Sequence, residues 1–327
     1  MKNKKIRKMK KIILSFIALI FTLSINAQLD RSVMPLGGPS PKIKLDKPKE
    51  FKLKNGIRVL VVENHKLPRI NYSLRFDRKP IVEGEKTGVI SLLGSMLGNG
   101  TTNIPKDDFN EEVDFLGAGI NVGFGSGFAF TLTKNNERVL DLFSDAVINP
   151  LLTEEEFEKE KDKLIEGLKS QKKDIDAISG RVGDALSYGK NHAYGEFISE
   201  QTIDNIKLED ILEYHAKYFI PNNVYIVVIG DVNYKEVKSL ISEKFGVWKK
   251  GKPINDPEPI LTDNVALTEI NFVDLPTATQ SAIQVTNNVN LKMNDEDYFA
   301  ALMANDILGG GGEGYLFKNL REDKGYT

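Results

Sequence analysis

Metal and acid–base chemistry need imidazole, thiolate or carboxylate groups at a spacing that lets them converge, and this 327-residue sequence offers few. There is no cysteine, and the only histidines are His65, His192 and His215, no two of them close enough to chelate from one helix or loop. Scattered histidines are mostly surface or hydrogen-bonded residues, so a zinc site built from all three is not expected. Ser91 and Ser95 stand one helical turn apart with Gly94 between them, but no base accompanies them and no nucleophile-elbow pattern surrounds them. The Gly309 to Gly312 run lacks the preceding strand and the following Lys-Ser/Thr of a phosphate cradle, so it reads as a helix-terminating turn. Glu160, in Glu158-Lys159-Glu160-Lys161, belongs to a charge-dense helix, where it is expected to be one solvated acid among several.

The elements around these residues are ordinary globular ones, with 41% hydrophobic and 28% charged residues. Residues 1–27 carry seven of the Lys and Arg residues ahead of the apolar run Ile12 to Phe21, with Ala27 at a small-residue cut. They read as a secretory signal peptide, which predicts an exported chain, periplasmic or extracellular, with no stable membrane span after cleavage. Without those cations the remainder is acidic and shows no basic cluster, which argues against a nucleic-acid partner.

Residues 28–49, rich in Pro, Gly and Lys, form an extended lead-in. The alternation around Asn55-Gly56 predicts a hairpin over Phe51 to Glu63, and Asn71 to Phe76 supplies a further strand. Val89, Leu92, Leu93, Met96 and Leu97 have the i, i+3, i+4, i+7 and i+8 period of a helix with one buried face. On its other side Ser91, Gly94, Ser95 and Gly98 make a stripe of small residues, for which tight packing against a neighbouring element is favoured over an open groove. Thr153 and Glu156 have capping-box spacing at the start of a long helix, and Val224 to Val232 is a continuous apolar strand. The irregular order of strand pairs and helix groups predicts an α+β fold, a mostly antiparallel sheet covered by helices on one face, over a first domain at 50–248. A linker follows at 249–265. Strands at Leu267 to Val273 and Ser281 to Val285 and a helix at Tyr298 to Leu308 then open a second, similar domain at 266–327, which reads as incomplete at Thr327.

Three stretches in series resemble the pitrilysin/insulinase-type zinc peptidases, which bind metal through an inverted His-x-x-Glu-His helix. They are Thr87-Gly88-Val89 through Gly100-Thr101, Tyr218 to Asn223 with Val228 to Val232, and Ile307 to Gly311 with Leu316-Phe317, Leu320-Arg321-Glu322 and Lys324-Gly325. The resemblance implies half-shell modules that enclose a peptide. Where it places His, Glu and His, this sequence has Ser91, Gly94 and Ser95, and the resemblance puts Glu160 alone at the place of the later carboxylate ligand. Serine hydroxyls do not replace imidazole at zinc, so no catalytic residue and no cofactor are expected here, although active relatives carry zinc. The resemblance also implies that Arg321 grips substrate, together with a tyrosine seven positions further on; Tyr326 does not have that spacing. The function expected is a non-catalytic subunit that gives peptide-binding surface and Arg321 to a His-x-x-Glu-His partner. The rivals are a stand-alone peptide-binding scaffold and a metallopeptidase with unorthodox ligands.

Overall fold

Alternation of apolar side chains decides which face of each strand is buried, and the strands here alternate clearly. The computed structural model describes residues 38–39, 47–257 and 262–327, so the signal peptide read at 1–27 and most of the lead-in lie outside the described residues. All elements below belong to the unit Pro48–Thr327. In chain order they are β1 (Lys49–Lys52), β2 (Arg58–Glu63), β3 (Arg69–Phe76), α1 (Val89–Met96), α2 (Lys106–Phe115), β4 (Gly119–Val122) and β5 (Ser126–Leu132). There follow α3 (Asn136–Ile148), α4 (Glu154–Gln171), α5 (Ile175–Tyr188), α6 (Glu200–Asp204), α7 (Leu208–Tyr218), β6 (Val224–Gly230), α8 (Tyr234–Lys244) and α9 (Tyr298–Gly309).

The six strands lie in the order β1-β2-β6-β3-β5-β4. Only the β2–β6 pairing is parallel, so the fold is the expected α+β arrangement with a mostly antiparallel sheet. β6 arrives late in the chain and inserts between β2 and β3, which explains its unbroken apolar sequence: it is a central strand. It can end where it does because Gly230, at φ +144°, passes so close to β3 that a Cβ would lie 2.0 Å from the Arg69 carbonyl oxygen.

One sheet face carries Val59, Val61, Ile70, Tyr72, Leu74, Ala129, Ile226 and Val228, all buried in a single core with Leu93 of α1, Phe143 of α3 and Ile241 of α8. The other face is open, with Phe128 and Phe130 at 42% and 46% exposure. Helices therefore cover one face, as a half-shell requires. The Thr153 hydroxyl accepts the Glu156 amide hydrogen at 3.4 Å, but the Glu156 carboxylate pairs with Lys106 at 2.7 Å, so only half of the capping box forms.

The strands expected at 267–273 and 281–285 do not form. Both segments are irregular, with Ile270 93% and Val285 97% exposed, because no strand lies alongside to take their backbone hydrogen bonds. The helix expected from Tyr298 is present as α9, and Gly310 closes it by donating its amide hydrogen to the Asp306 carbonyl.

The β1–β2 turn is tied to the end of α8 by one side chain. Asn55, buried, donates to the carbonyls of Phe245 at 2.8 Å and Trp248 at 3.0 Å. Asn55→Ala leaves both carbonyls without this partner, and we expect it to lower unfolding free energy by about 2 kcal/mol in urea titrations at unchanged m-value.

Candidate functional site

α1 places Val89, Leu92, Leu93 and Met96 in the core, at the spacing that puts them on one face. Burial of each stabilises by roughly 2 kcal/mol, so together they outweigh the ~1 kcal/mol that Gly94 costs the helix. The helix packs against α4 and α7. Its opposite side departs from the tight packing favoured for the small-residue stripe. Ser91 and Ser95 are exposed, and a Cβ on half-buried Gly94 would meet the Phe124 backbone nitrogen at 3.7 Å and the Phe124 Cβ at 4.0 Å, ordinary contacts. Gly98 lies beyond the helix and is the one tight member, where a Cβ would be 3.0 Å from the Val122 nitrogen. The stripe is thus open at its two serines, while its two glycines are half-buried against Phe124 and Val122.

The donor set on this surface does not fit zinc. Ser95 turns its hydroxyl back onto the Leu92 carbonyl at 2.9 Å, and Gly94 has nothing to offer. Glu160 departs from the solvated acid expected: its side chain is 11% exposed, and it pairs with Lys163 at 2.5 Å. No hydrogen bond joins it to Ser91 or Ser95. Among the described residues, no group of three or more His, Cys, Asp or Glu side chains is arranged to hold a metal.

The histidines are in three separate places. His65 follows β2 and meets Asp231 at 2.7 Å; His192 stacks on Tyr188 at 5.3 Å; His215 lies on α7 against Phe219 at 4.7 Å. Burial pushes the His215 pKa down to about 4, which keeps that ring neutral at pH 7. Arg321 sits in the turn of π-helix at Lys318–Asp323, its guanidinium 5.5 Å from the Phe317 ring, with no ion pair to Glu322 or Asp323.

Two acids that no motif singles out hold α1 in place. Glu83 accepts the amide hydrogens of Gly88 at 3.0 Å and Ile90 at 2.8 Å, taking free donors at the helix start. Gly88, at φ +116°, supplies the turn into the helix. Glu196 in turn accepts from the amides of Glu83 at 2.8 Å and Gly84 at 3.0 Å. Burial pushes the Glu83 carboxyl up, and the nearby Glu196 charge adds to it, against amide hydrogen bonds that favour the ionised form. A raised folded-state pKa stabilises the fold below the ordinary carboxyl range, and that gain is lost as pH rises through the folded value. Glu83→Gln cannot titrate. We therefore expect the stability of the unsubstituted chain relative to Glu83→Gln to grow between pH 7 and pH 4.5, read by thermal unfolding; a constant difference would contradict the assignment.

Comparison with known proteins bears on this arrangement. The profile of the family described as Insulinase (Peptidase family M16) matches residues 81–182, and that of the Peptidase M16 inactive domain matches residues 205–327. Together they cover more than half of the chain. An uncharacterised zinc protease, YmxG of Bacillus subtilis, is 24% identical over 286 residues, covering 85% of this chain and 68% of the relative. The crystal structure of a peptidase M16 inactive domain from Pseudomonas fluorescens superposes with a TM-score of 0.69 at 22% identity, over 85% of this chain and 68% of that one. A protease structure from Helicobacter pylori gives 0.70 at 22% identity, over 86% and 70%. The chain spans about two thirds of the length of the curated relatives it matches most strongly. It belongs to the insulinase, or pitrilysin-type, M16 peptidase family, and with no His-x-x-Glu-His in its sequence it fits a non-catalytic member.

Proposed function

We propose that this chain is the non-catalytic half of an exported zinc-peptidase pair, in which a His-x-x-Glu-His partner supplies the metal and this chain supplies a peptide-facing wall. The observation that carries the reading is α1. Its buried face is intact, while the side that bears ligands in active relatives is open, exposed and lined by Ser91, Gly94 and Ser95. A wall that orients an extended peptide lowers the entropic barrier for a partner's chemistry without reacting itself. Arg321, exposed and without an ion pair, is the residue we assign to grip the substrate backbone.

A second reading, a stand-alone peptide-binding scaffold, draws support from β4, an edge strand whose outer side could pair with an added strand. The reading with unorthodox metal ligands has no such support, because the hydroxyls and the paired Glu160 are poor zinc donors.

The test is reconstitution with a His-x-x-Glu-His-bearing M16 subunit from the same organism. We expect kcat/KM on an unstructured peptide to rise at least about tenfold over the partner alone, and Arg321→Ala to remove about tenfold of it, a loss of about 1.4 kcal/mol of transition-state stabilisation. Equal turnover with and without this chain would contradict the pairing, and peptide binding by the isolated chain alone would then favour the scaffold.

A further inference from the structure

Beside the serines of α1 lie two cations, Arg78 and Lys217, that share one nearby carboxylate, Asp256. Phe124, whose backbone nitrogen faces Gly94, carries the Arg78 guanidinium 3.6 Å from its ring centroid, and Phe76 frames the same group at 4.9 Å. Arg78 donates to the carbonyls of Phe124 and Tyr218. A guanidinium has five N–H donors. Those left over find no carboxylate among the described residues, although burial is sufficient to push the Arg78 pKa down to about 10. Next to it, Lys217 Nζ lies 2.7 Å from the Tyr218 hydroxyl, which packs edge-on to Phe124 at 5.8 Å between centroids.

One carboxylate already reaches into this cluster. Asp256 belongs to the irregular segment after α8, and its side chain is 16% exposed. Its Oδ1 is 3.3 Å from Lys217 Nζ and 3.5 Å from the Tyr218 hydroxyl, and Lys79 Nζ donates to its backbone carbonyl at 3.4 Å. Its Oδ2 is buried and has no hydrogen-bond partner among the described residues. The surroundings are built for a carboxylate, yet this one satisfies a single oxygen and makes no two-point contact with the guanidinium. A carboxylate free to choose its orientation does better.

We propose that Arg78, Lys217 and the Tyr218 hydroxyl form a carboxylate-binding subsite at the end of the peptide-facing surface, and that Asp256 is its intramolecular occupant, displaced when a peptide carboxylate arrives. The inference rests on the peptide-binding reading above and adds a preference to it. The carboxylate is either a peptide C-terminus or an Asp or Glu side chain; both present the same two oxygens.

The experiment measures binding of three fluorescently labelled decapeptides to the full chain by anisotropy: one without acidic residues as the free acid, the same peptide as its C-terminal amide, and an amidated version with one Glu. We expect at least one carboxylate-bearing peptide to bind about tenfold more tightly than the acid-free amide. Preference for the free acid identifies the C-terminus as ligand, and preference for the Glu peptide identifies the side chain. Lys217→Met, at an exposed position, and Arg78→Gln should each reduce that preference to near unity while binding of the acid-free amide is unchanged. Asp256→Asn should tighten the preferred peptide about threefold, by emptying the subsite. Equal binding of all three peptides would overturn the subsite and leave peptide binding standing; weaker binding of the carboxylate peptides by Asp256→Asn would overturn the displacement. Binding of none of the three would overturn both this inference and the reading on which it rests. Should Arg78→Gln fail to fold, Lys217→Met decides the outcome alone.

Discussion

A helix has two sides, and on α1 they answer to different forces. Val89, Leu92, Leu93 and Met96 are buried in the core, and the helix that carries them packs against α4 and α7. That constraint fixes the position of the helix whatever stands on its other side. Serine on the outer side, in place of a larger side chain, therefore costs the fold little, because a group that faces solvent contributes little packing. The site can lose its metal chemistry while the scaffold keeps its shape.

The means by which α1 is held reinforce this separation. The helix start is closed by Glu83, itself positioned by Glu196, which comes from beyond α5. Two carboxylates near each other are an uncomfortable pair, and the backbone amides that surround them compensate. Charged groups thus gather at the rim of α1: acids at 83 and 196 beneath the helix start, Arg78 on the connection after β3 and Lys217 at the end of α7. Glu83, Glu196 and Arg78 all sit on connections between elements, where a rigid scaffold can present polar groups.

Much of this was legible in the sequence, and the remainder was not for physical reasons. The apolar patterns of α1 and β6 each demand burial locally, so their existence follows from the sequence alone. The insertion of β6 between β2 and β3 depends on contacts between residues 148 or more positions apart and leaves no local signal. The small-residue stripe of α1 was expected to pack tightly, but Ser91 and Ser95 are open and only Gly98 is tight, because small side chains permit close approach without requiring it. Glu160 was expected in solvent and is nearly enclosed, since a period of charges does not say which side of a helix faces the neighbour. The strand patterns at 267–273 and 281–285 show the converse failure: alternation is a promise that only a partner strand can redeem. Glu83, Glu196 and Arg78 carry no motif, and only the fold brings them to α1.

The account depends on the open side of α1 being unable to hold a catalytic ion. Equilibration of the purified chain with zinc, removal of excess metal and determination of bound zinc by mass spectrometry, with peptide turnover followed on the same sample, tests this most directly. The account predicts well under one zinc per chain and no turnover by the isolated chain. One zinc per chain that is lost in a Ser91→Ala, Ser95→Ala variant, together with chelator-sensitive cleavage, would contradict it.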